Sequence, residues 1–509
     1  MSWRVIARNI FSNWASYVVT AVIGFLLSPL IVHSLGTTGY GLWTLVLSMT
    51  GYFGLLDLGI RSSVGRFVAR YVTLHDEEKT NRIVSTAFAI LFTGGVLTLL
   101  ATVIVAEFFF PYLHVEAQLQ SVGRIALLVT GLTMACALPL GVFSSVLVAL
   151  EHYHILSGVT IIGEVIRAVL IVVALKSGHG LLTLAAIAFF ISVSEYLVMA
   201  AFAKQQYRPL RISPGLVDAV TFRELFGFGV HRFIWMIANQ LIFYSDSIVI
   251  GIFLNAGAIT YYAIAGSLIN YGRTIVSLLT DTFYPGAARL DARQDLGGLR
   301  NLLVIGTRIS LLVSLPLCLG FVFLGRQFIT LWMGPEYSVS ALYLMVLTLA
   351  QFTGMSQYMS ALVLAAMAKH RFLAYLVLVE GVANLVLSII LIRKIGLVGV
   401  AWGTVIPDVI CTAVIVPWYT LRKLQLSARE YLMRGVLRPV ICLIPAGGMI
   451  YVFSGAEAVS WARFGGEVAA VAGMVAVMSY FLCLEPEHRA LAQERIRQIF
   501  QREPVTNEA

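Results

Sequence analysis

Long, unbroken apolar runs decide what this chain can fold into. A helix needs roughly 20 apolar residues to cross the hydrocarbon core of a bilayer. The sequence offers fourteen such stretches, at 13–35, 40–60, 83–110, 122–149, 155–175, 181–202, 229–254, 258–283, 303–325, 338–365, 372–392, 397–420, 436–454 and 462–483. Membrane barrels show alternating segments of only about 10 residues, whereas these runs are longer and continuously apolar, so an all-α polytopic membrane protein is expected. Composition agrees. Of 509 residues 59% are apolar and only 12% charged, against about 25% charged in soluble domains. Cys136, Cys318, Cys411, Cys442 and Cys483 all lie in apolar stretches without a C-x-x-C pair, which excludes a disulfide scaffold and leaves them to pack as small hydrophobes.

Orientation is read from Lys and Arg in the loops. With the N-terminus in the cytoplasm, the cytoplasmic segments hold 25 Lys and Arg and the outside loops 6. Both termini are therefore expected in the cytoplasm. Basic loops facing anionic headgroups account for the net charge of +9 with no call for nucleic acid. The first run is too long for a signal-peptide core and is followed by no small-residue cleavage site, so an uncleaved first span is expected.

No soluble domain fits between the spans. The segments 61–82, 203–228, 284–302 and the tail after 484 are each under 30 residues, and chains below about 40 residues seldom build a core alone. No G-x-x-x-x-G-K-[ST] is present, which argues against ATP-driven pumping. The outside loops are too short and sparse to hold the acid or histidine cluster of a membrane glycosyltransferase. His152, His154 and His370 are scattered, so neither a metal nor another cofactor is expected.

The chain repeats itself in parallel. His154, Glu164 and Gly180-Leu181 recur 216 residues later as His370, Glu380 and Gly396-Leu397, and Leu35-Gly36-Thr37 through Tyr40 resembles Leu254 through Ala258 with Tyr261. The expected organisation is an N-terminal six-helix lobe (1–202), a cytoplasmic linker (203–228), a second six-helix lobe (229–420), two further spans (421–483) and a cytoplasmic tail (484–509). Two like halves about an axis along the membrane normal suit alternating access around a central cavity.

Ionisable residues fall within the spans, among them Glu164, Arg167, Glu195, Arg232, Asp246, Arg273, Asp281, Arg308, Glu380 and Asp408. Each costs roughly 2.5–3.5 kcal/mol at a helix centre, so they need partners or water. Glu195, Arg232, Asp281 and Arg308 lie near cytoplasmic ends, where snorkelling is the alternative. Arg232, Asn239 and Asp246 are seven apart and share one helix face. Asn270, Arg273, Ser277 and Asp281 share a face of the next span, and Glu164 with Arg167 can pair at i,i+3. The substrate-binding candidates are thus Arg232, Asn239, Asn270, Arg273, Arg308 and Arg167, because the guanidinium fork binds phosphate bidentately. The candidates for coupling to H⁺ or Na⁺, or for cavity acids, are Asp246, Asp281, Glu164, Glu380 and Asp408. Asp57 with Arg61, in Leu56-Asp57-Leu58-Gly59, is a candidate cytoplasmic gate; a glycine-terminated helix is the alternative. A cavity bearing both signs fits an anionic lipid-linked substrate better than an organic cation.

The first eighty residues carry Asn13, Ser28-Pro29, Leu35-Gly36-Thr37-Thr38-Gly39-Tyr40-Gly41-Leu42-Trp43, Leu56-Asp57-Leu58-Gly59 and Arg66-Phe67-Val68-Ala69. In these motifs the chain resembles the bacterial polysaccharide and O-antigen (Wzx-type) flippases, within the multidrug, oligosaccharidyl-lipid and polysaccharide exporter superfamily. The resemblance implies movement of an undecaprenyl-pyrophosphate-linked oligosaccharide from the cytoplasmic to the periplasmic leaflet. It also implies membrane lipids and a glycan polymerase with other assembly proteins as partners. The basic Arg-Asp motif expected in the first span of the related lipid II flippases is absent between Asn13 and Leu35. The alternatives are a multidrug or cation antiporter of the same superfamily and a membrane enzyme of glycan assembly.

Overall fold

A computed structural model describes residues 3–455 and 460–483, and among these there is no β-strand; the expected cytoplasmic tail (484–509) is outside the described residues. Among the described residues eleven helices are long and apolar enough to cross a membrane. The difference from fourteen has physical causes. Two expected spans lie in one run, α1 (Trp3–Phe53), which breaks at Gly36 with φ 72° and ψ 172°. The 258–283 span, α8 (Ala256–Thr280), falls short in apolarity because it carries Asn270, Arg273 and several Gly and Tyr. The 338–365 span is interrupted at Gln357, between α12 (Ser340–Ser356) and α13 (Tyr358–Ala366).

Between these, α2 (Ile60–Thr73) is a helix where the sequence suggests a loop. It buries Ile60, Val64, Phe67, Val68 and Tyr71, the i, i+3/i+4, i+7 stripe of an amphipathic helix. The helices α3 (Glu77–Ile104), α4 (Ala117–Ala149), α5 (Tyr153–Lys176), α6 (Leu181–Gln206) and α7 (Ala219–Phe253) follow. After α8 come α9 (Tyr284–Ala292), α10 (Leu296–Phe323) and α11 (Gly325–Met333), then α12 and α13. The chain closes with α14 (His370–Ile395), α15 (Leu397–Asp408), α16 (Val416–Leu424), α17 (Ala428–Tyr431), α18 (Arg438–Ser454) and α19 (Trp461–Met478). Several starts are capped by a side chain that satisfies an orphan N–H: Asp76 accepts from Lys79 N, Asp218 from Thr221 N and Asp295 from Gly298 N. The Asp218 carboxyl is held below its ordinary value by the hydrogen bonds from the Thr221 hydroxyl and backbone N–H.

By packing, the chain forms two units: residues up to Tyr271 with His370–Cys411, and Gly272–Lys369 with the residues from Thr412 onward. The first unit is cored by Ile60, Val64, Leu91, Leu138 and Val146. The second is cored by Leu299, Leu303, Met359, Val363 and Leu424. Large apolar side chains such as Phe92, Leu100, Val169, Phe190 and Val386 stand exposed on the long helices, as helices solvated by lipid require.

The internal repeat has a structural counterpart. Helices α5 and α14 start at Tyr153 and His370, and their successors at Leu181 and Leu397. Within the first unit the second pair of related turns meets directly: Thr260 Oγ1 donates to the Thr37 carbonyl at 2.6 Å, and a Cβ on Gly41 would fall 1.7 Å from the Ala256 carbonyl oxygen.

The Leu56-Asp57-Leu58-Gly59 turn depends on its glycine. Gly59 has φ +75°, and a Cβ there would lie 2.5 Å from the Gly229 carbonyl oxygen. Gly178 has φ +79° but no atom within 4 Å of its would-be Cβ. Gly178→Ala is expected to cost only left-handed strain, roughly 1–2 kcal/mol, and Gly59→Ala distinctly more, read as a larger fall in thermal unfolding temperature of the detergent-purified protein. Equal falls would contradict the backbone contact between Gly59 and Gly229.

Candidate functional site

A buried polar cluster of the first unit is built around Asp246 on α7, only 6% exposed. Its Oδ2 accepts from the Tyr262 hydroxyl of α8 at 2.6 Å and from Thr404 Oγ1 of α15 at 3.0 Å. Its Oδ1 accepts from Ser388 Oγ of α14 at 3.4 Å. Asn384, one turn before Ser388, donates from Nδ2 to Thr404 Oγ1 at 2.9 Å and accepts from Ser245 Oγ at 3.4 Å. The Val400 carbonyl lies 3.4 Å from Ser388 Oγ and 3.3 Å from Thr404 Oγ1. Tyr52 stands beside Asp246 and Ser245. The hydrogen-bond donors to Asp246 are hydroxyls, with no Lys, Arg or His among them.

Glycines let the three helices close on this cluster. A Cβ on Gly403 would fall 2.3 Å from Ser388 Oγ and 2.6 Å from its backbone N, and one on Gly399 2.4 Å from the Leu391 carbonyl carbon. A Cβ on Gly381 would fall 3.0 Å from the Ala238 carbonyl oxygen. Helices α7, α14 and α15 therefore meet almost backbone to backbone, and short hydroxyl side chains suffice to reach the carboxylate. The groups bonded to the carboxylate are all oxygen: the hydroxyls of Tyr262, Ser388 and Thr404. Hard cations favour such sets, and a single carboxylate matches one unit of positive charge.

A second cluster joins α5 to α6. Arg167 Nη1 lies 2.6 Å from Glu164 Oε1, and Nη2 lies 3.5 Å from Glu195 Oε1 and 3.4 Å from Ser192 Oγ. Gly163 makes room for Glu195, since a Cβ there would overlap Glu195 Oε1. The i,i+3 pairing expected of Glu164 and Arg167 is present, and Glu195 joins it across helices. A third pair is Asp57 Oδ2 with Arg61 Nε at 2.6 Å; Asp57 Oδ1 also accepts from the Arg61 backbone N at 3.2 Å. The Arg61 side chain passes over Gly141 of α4, whose Cβ would meet it at 2.8 Å, so this pair braces the start of α2.

The remaining candidates are dispersed. The side chain of Arg232 lies outside the described residues. Asn239 Nδ2 donates to the Trp235 carbonyl at 2.8 Å. Asn270 is exposed on α8. Glu380 is buried, and it and the half-buried Asp408 lie near Cys411. In the second unit Arg273 stands half-buried beside Tyr358. Asp281 is exposed in the turn after α8. Arg308 is buried, with Nε donating to the Arg434 carbonyl at 2.6 Å. No group of three His, Cys, Asp or Glu among the described residues is placed to hold a metal ion.

Sequence reasoning singled out Asp246 but not Tyr262, Asn384, Ser388 or Thr404. One signal was available: Glu380, Asn384 and Ser388 recur every four residues and so share one face of α14.

The family model described as "Polysaccharide biosynthesis protein" matches residues 6–291, more than half of the chain. A Shigella flexneri protein named "Putative O-antigen transporter" is 23% identical over 424 residues, covering 82% of this chain and 98% of its own. The "Uncharacterized membrane protein EpsK" of Bacillus subtilis (strain 168) is 22% identical over 496 residues, covering 96% of this chain and 97% of its own. Among solved structures, the "Lipid II flippase MurJ, inward closed conformation" superposes with a TM-score of 0.70 at 15% identity, over 96% of this chain and 99% of that one. An inward-facing multidrug resistance transporter of the MATE family superposes with a TM-score of 0.68 at 12% identity, over 80% and 94%. At these identities the superpositions establish the fold.

Arg167→Met leaves Glu164 and Glu195 without their shared cation. Breaking a buried pair costs about 3–5 kcal/mol, and the side-chain exposures of 16–23% bring the expected loss to the lower end. The variant should express and unfold worse than wild type, and the uncharged Glu164→Gln/Arg167→Met/Glu195→Gln triple variant should recover most of the loss. Equal destabilisation by both would contradict a charge-based cause.

Proposed function

Because the chain belongs to the polysaccharide biosynthesis protein family, we propose that it is a flippase of the bacterial inner membrane that carries a polyprenyl-pyrophosphate-linked oligosaccharide to the periplasmic leaflet. Both termini lie in the cytoplasm on this reading, and the chain performs no covalent chemistry. It works alongside the enzymes that make and polymerise the glycan. Support comes from the family model, from the naming of the Shigella relative and from a bundle of apolar helices with no soluble domain between them. The fold likeness to a multidrug transporter is what favours the antiporter alternative. That likeness speaks to architecture, whereas the family model and the named relative speak to saccharides.

Asp246 couples transport to an ion. The observation that carries this is a buried carboxylate held only by hydroxyls, with a backbone carbonyl and two further polar side chains around it. A buried carboxylate without a basic partner needs a proton or a cation to be stable. Binding either one neutralises the cluster, and releasing it restores a charge that the membrane potential acts upon. Substrate phosphates fall to arginines of the spans, with Arg232 and Arg273 the first to test and Arg308, Arg167, Asn239 and Asn270 after them. Asp281, Glu164, Glu380 and Asp408 remain the further acids, and Asp57 with Arg61 the gate.

The test is complementation of a deletion strain. Asp246→Asn should remove most surface polysaccharide at unchanged protein level, with lipid-linked oligosaccharide accumulating in the membrane. Loss of one coupled charge forfeits about 2.3 kcal/mol per 100 mV, roughly a 50-fold fall in the accumulation ratio that the potential can sustain. Wild-type polysaccharide in that variant would remove the coupling role. Normal polysaccharide in the deletion strain itself would remove the flippase reading.

A further inference from the structure

Within the second unit, helices α10, α12, α16 and the α17 region enclose a cleft of about 770 Å³, inside the range of roughly 300–1,000 Å³ over which small-molecule sites occur. Its walls are apolar: Leu311, Phe352, Val414, Trp418, Leu421 and Leu432. Val414 is 60% and Trp418 56% exposed, so the cleft opens sideways, where the long helices present apolar side chains to lipid. A helix break shapes its floor. The α12 helix stops at Gln357, and Gln357 Oε1 accepts from Ser360 Oγ at 2.9 Å and from the Tyr431 hydroxyl at 3.3 Å. Thr353, Ser356, Gln357 and Tyr431 thus give an otherwise apolar cavity one polar wall.

The mouth carries charge. Arg422 lines the cleft, and its guanidinium lies 5.7 Å from the Trp418 ring centroid. A Trp beside an Arg at a helix end marks the level of the headgroups. Lys423, Arg429, Arg434 and Arg438 follow within sixteen residues, against a single acid, Glu430, which pairs with Arg434 at 3.0 Å. An apolar slot open to the bilayer, with a polar wall and a basic rim at headgroup level, has the chemistry of one ligand class. Basic pockets between transmembrane helices on the cytoplasmic side take the headgroups of anionic lipids.

We propose that this cleft is a binding site for an anionic phospholipid of the surrounding membrane, with an acyl chain between α12 and α16 and its phosphate on Arg422. The ester oxygens face Thr353, Ser356 and Tyr431. The occupant is a membrane phospholipid rather than the transported lipid, because the opening faces the bilayer and the cleft lies within one packing unit. The proposal is independent of the Asp246 cluster, which is in the other unit, and requires only that the chain be embedded in a membrane.

The experiment is native mass spectrometry of the full-length protein after delipidation and equilibration with equal amounts of phosphatidylglycerol, phosphatidylethanolamine and undecaprenyl phosphate. Phosphatidylglycerol adducts should dominate. Arg422→Gln should reduce them about fivefold, the equivalent of roughly 1 kcal/mol for one basic group at an anionic headgroup. Arg293→Gln, at an exposed position elsewhere in the same unit, should leave them unchanged. Val414→Trp should displace them by filling the slot, with monodisperse elution as the check on folding; if it does not elute cleanly, the Arg422 comparison decides alone. Equal retention of phosphatidylglycerol and phosphatidylethanolamine, wild-type adducts in Arg422→Gln, or preferential retention of undecaprenyl phosphate would each overturn the proposal.

Discussion

A carboxylate held away from water in a membrane-spanning helix is the constraint around which the first unit is arranged. Moving such an ion into an apolar interior costs several kcal/mol even after relaxation. The chain meets this cost at Asp246 with hydroxyls from three helices rather than with a basic residue. Hydroxyls reach a carboxylate only where helices approach closely, and that approach requires Gly381, Gly399 and Gly403 on α14 and α15. The glycine pattern, the polar face of α14 and the position of Tyr262 on α8 are parts of one solution. Because hydroxyls carry no net charge, the cluster remains one positive charge short of neutrality. A basic partner would have made it inert.

The chain treats its other intramembrane charges differently. Glu164, Arg167 and Glu195 share one guanidinium across α5 and α6. Asp57 and Arg61 close on each other at the start of α2. Arg308 gives its Nε to a backbone carbonyl. These arrangements give each charge a nearby polar partner and tie elements together, as buried pairs commonly do whether or not they add stability. The contrast sets Asp246 apart from Asp57, Glu164 and Glu195, each of which has an arginine beside it.

Much of this architecture is legible in the sequence. The spans announce themselves by length and apolarity, and the parallel repeat by the recurrence of His, Glu and Gly-Leu 216 residues apart. The boundary between the first two spans falls where expected, at the non-helical Gly36, whereas the break at Gln357 inside the 338–365 span depends on hydrogen bonds from Ser360 and Tyr431, the latter 74 residues away. The site was half legible. Asp246 stands out because a charge in an apolar run is rare. Its partners Tyr262, Ser388 and Thr404 do not, because hydroxyl residues are ordinary in transmembrane helices and their convergence is a product of packing. The seven-residue stripe on α7 predicted a shared direction for Asn239 and Asp246, yet Asn239 turns to its own backbone, as Asn in a helix often does. Periodicity fixes a face and leaves open which partner a side chain chooses on it.

The central claim is that a cation or proton bound at Asp246 drives a lipid-linked saccharide across the bilayer. Reconstituted proteoliposomes carrying a polyprenyl-pyrophosphate-linked oligosaccharide test it directly, with translocation followed by accessibility of the sugar to an impermeant lectin under an imposed Na⁺ or H⁺ gradient. Translocation should rise when one of these gradients is applied and fall when it is collapsed, and Asp246→Asn liposomes should not respond to it. Equal translocation with and without either gradient, in wild type and Asp246→Asn alike, would contradict the account.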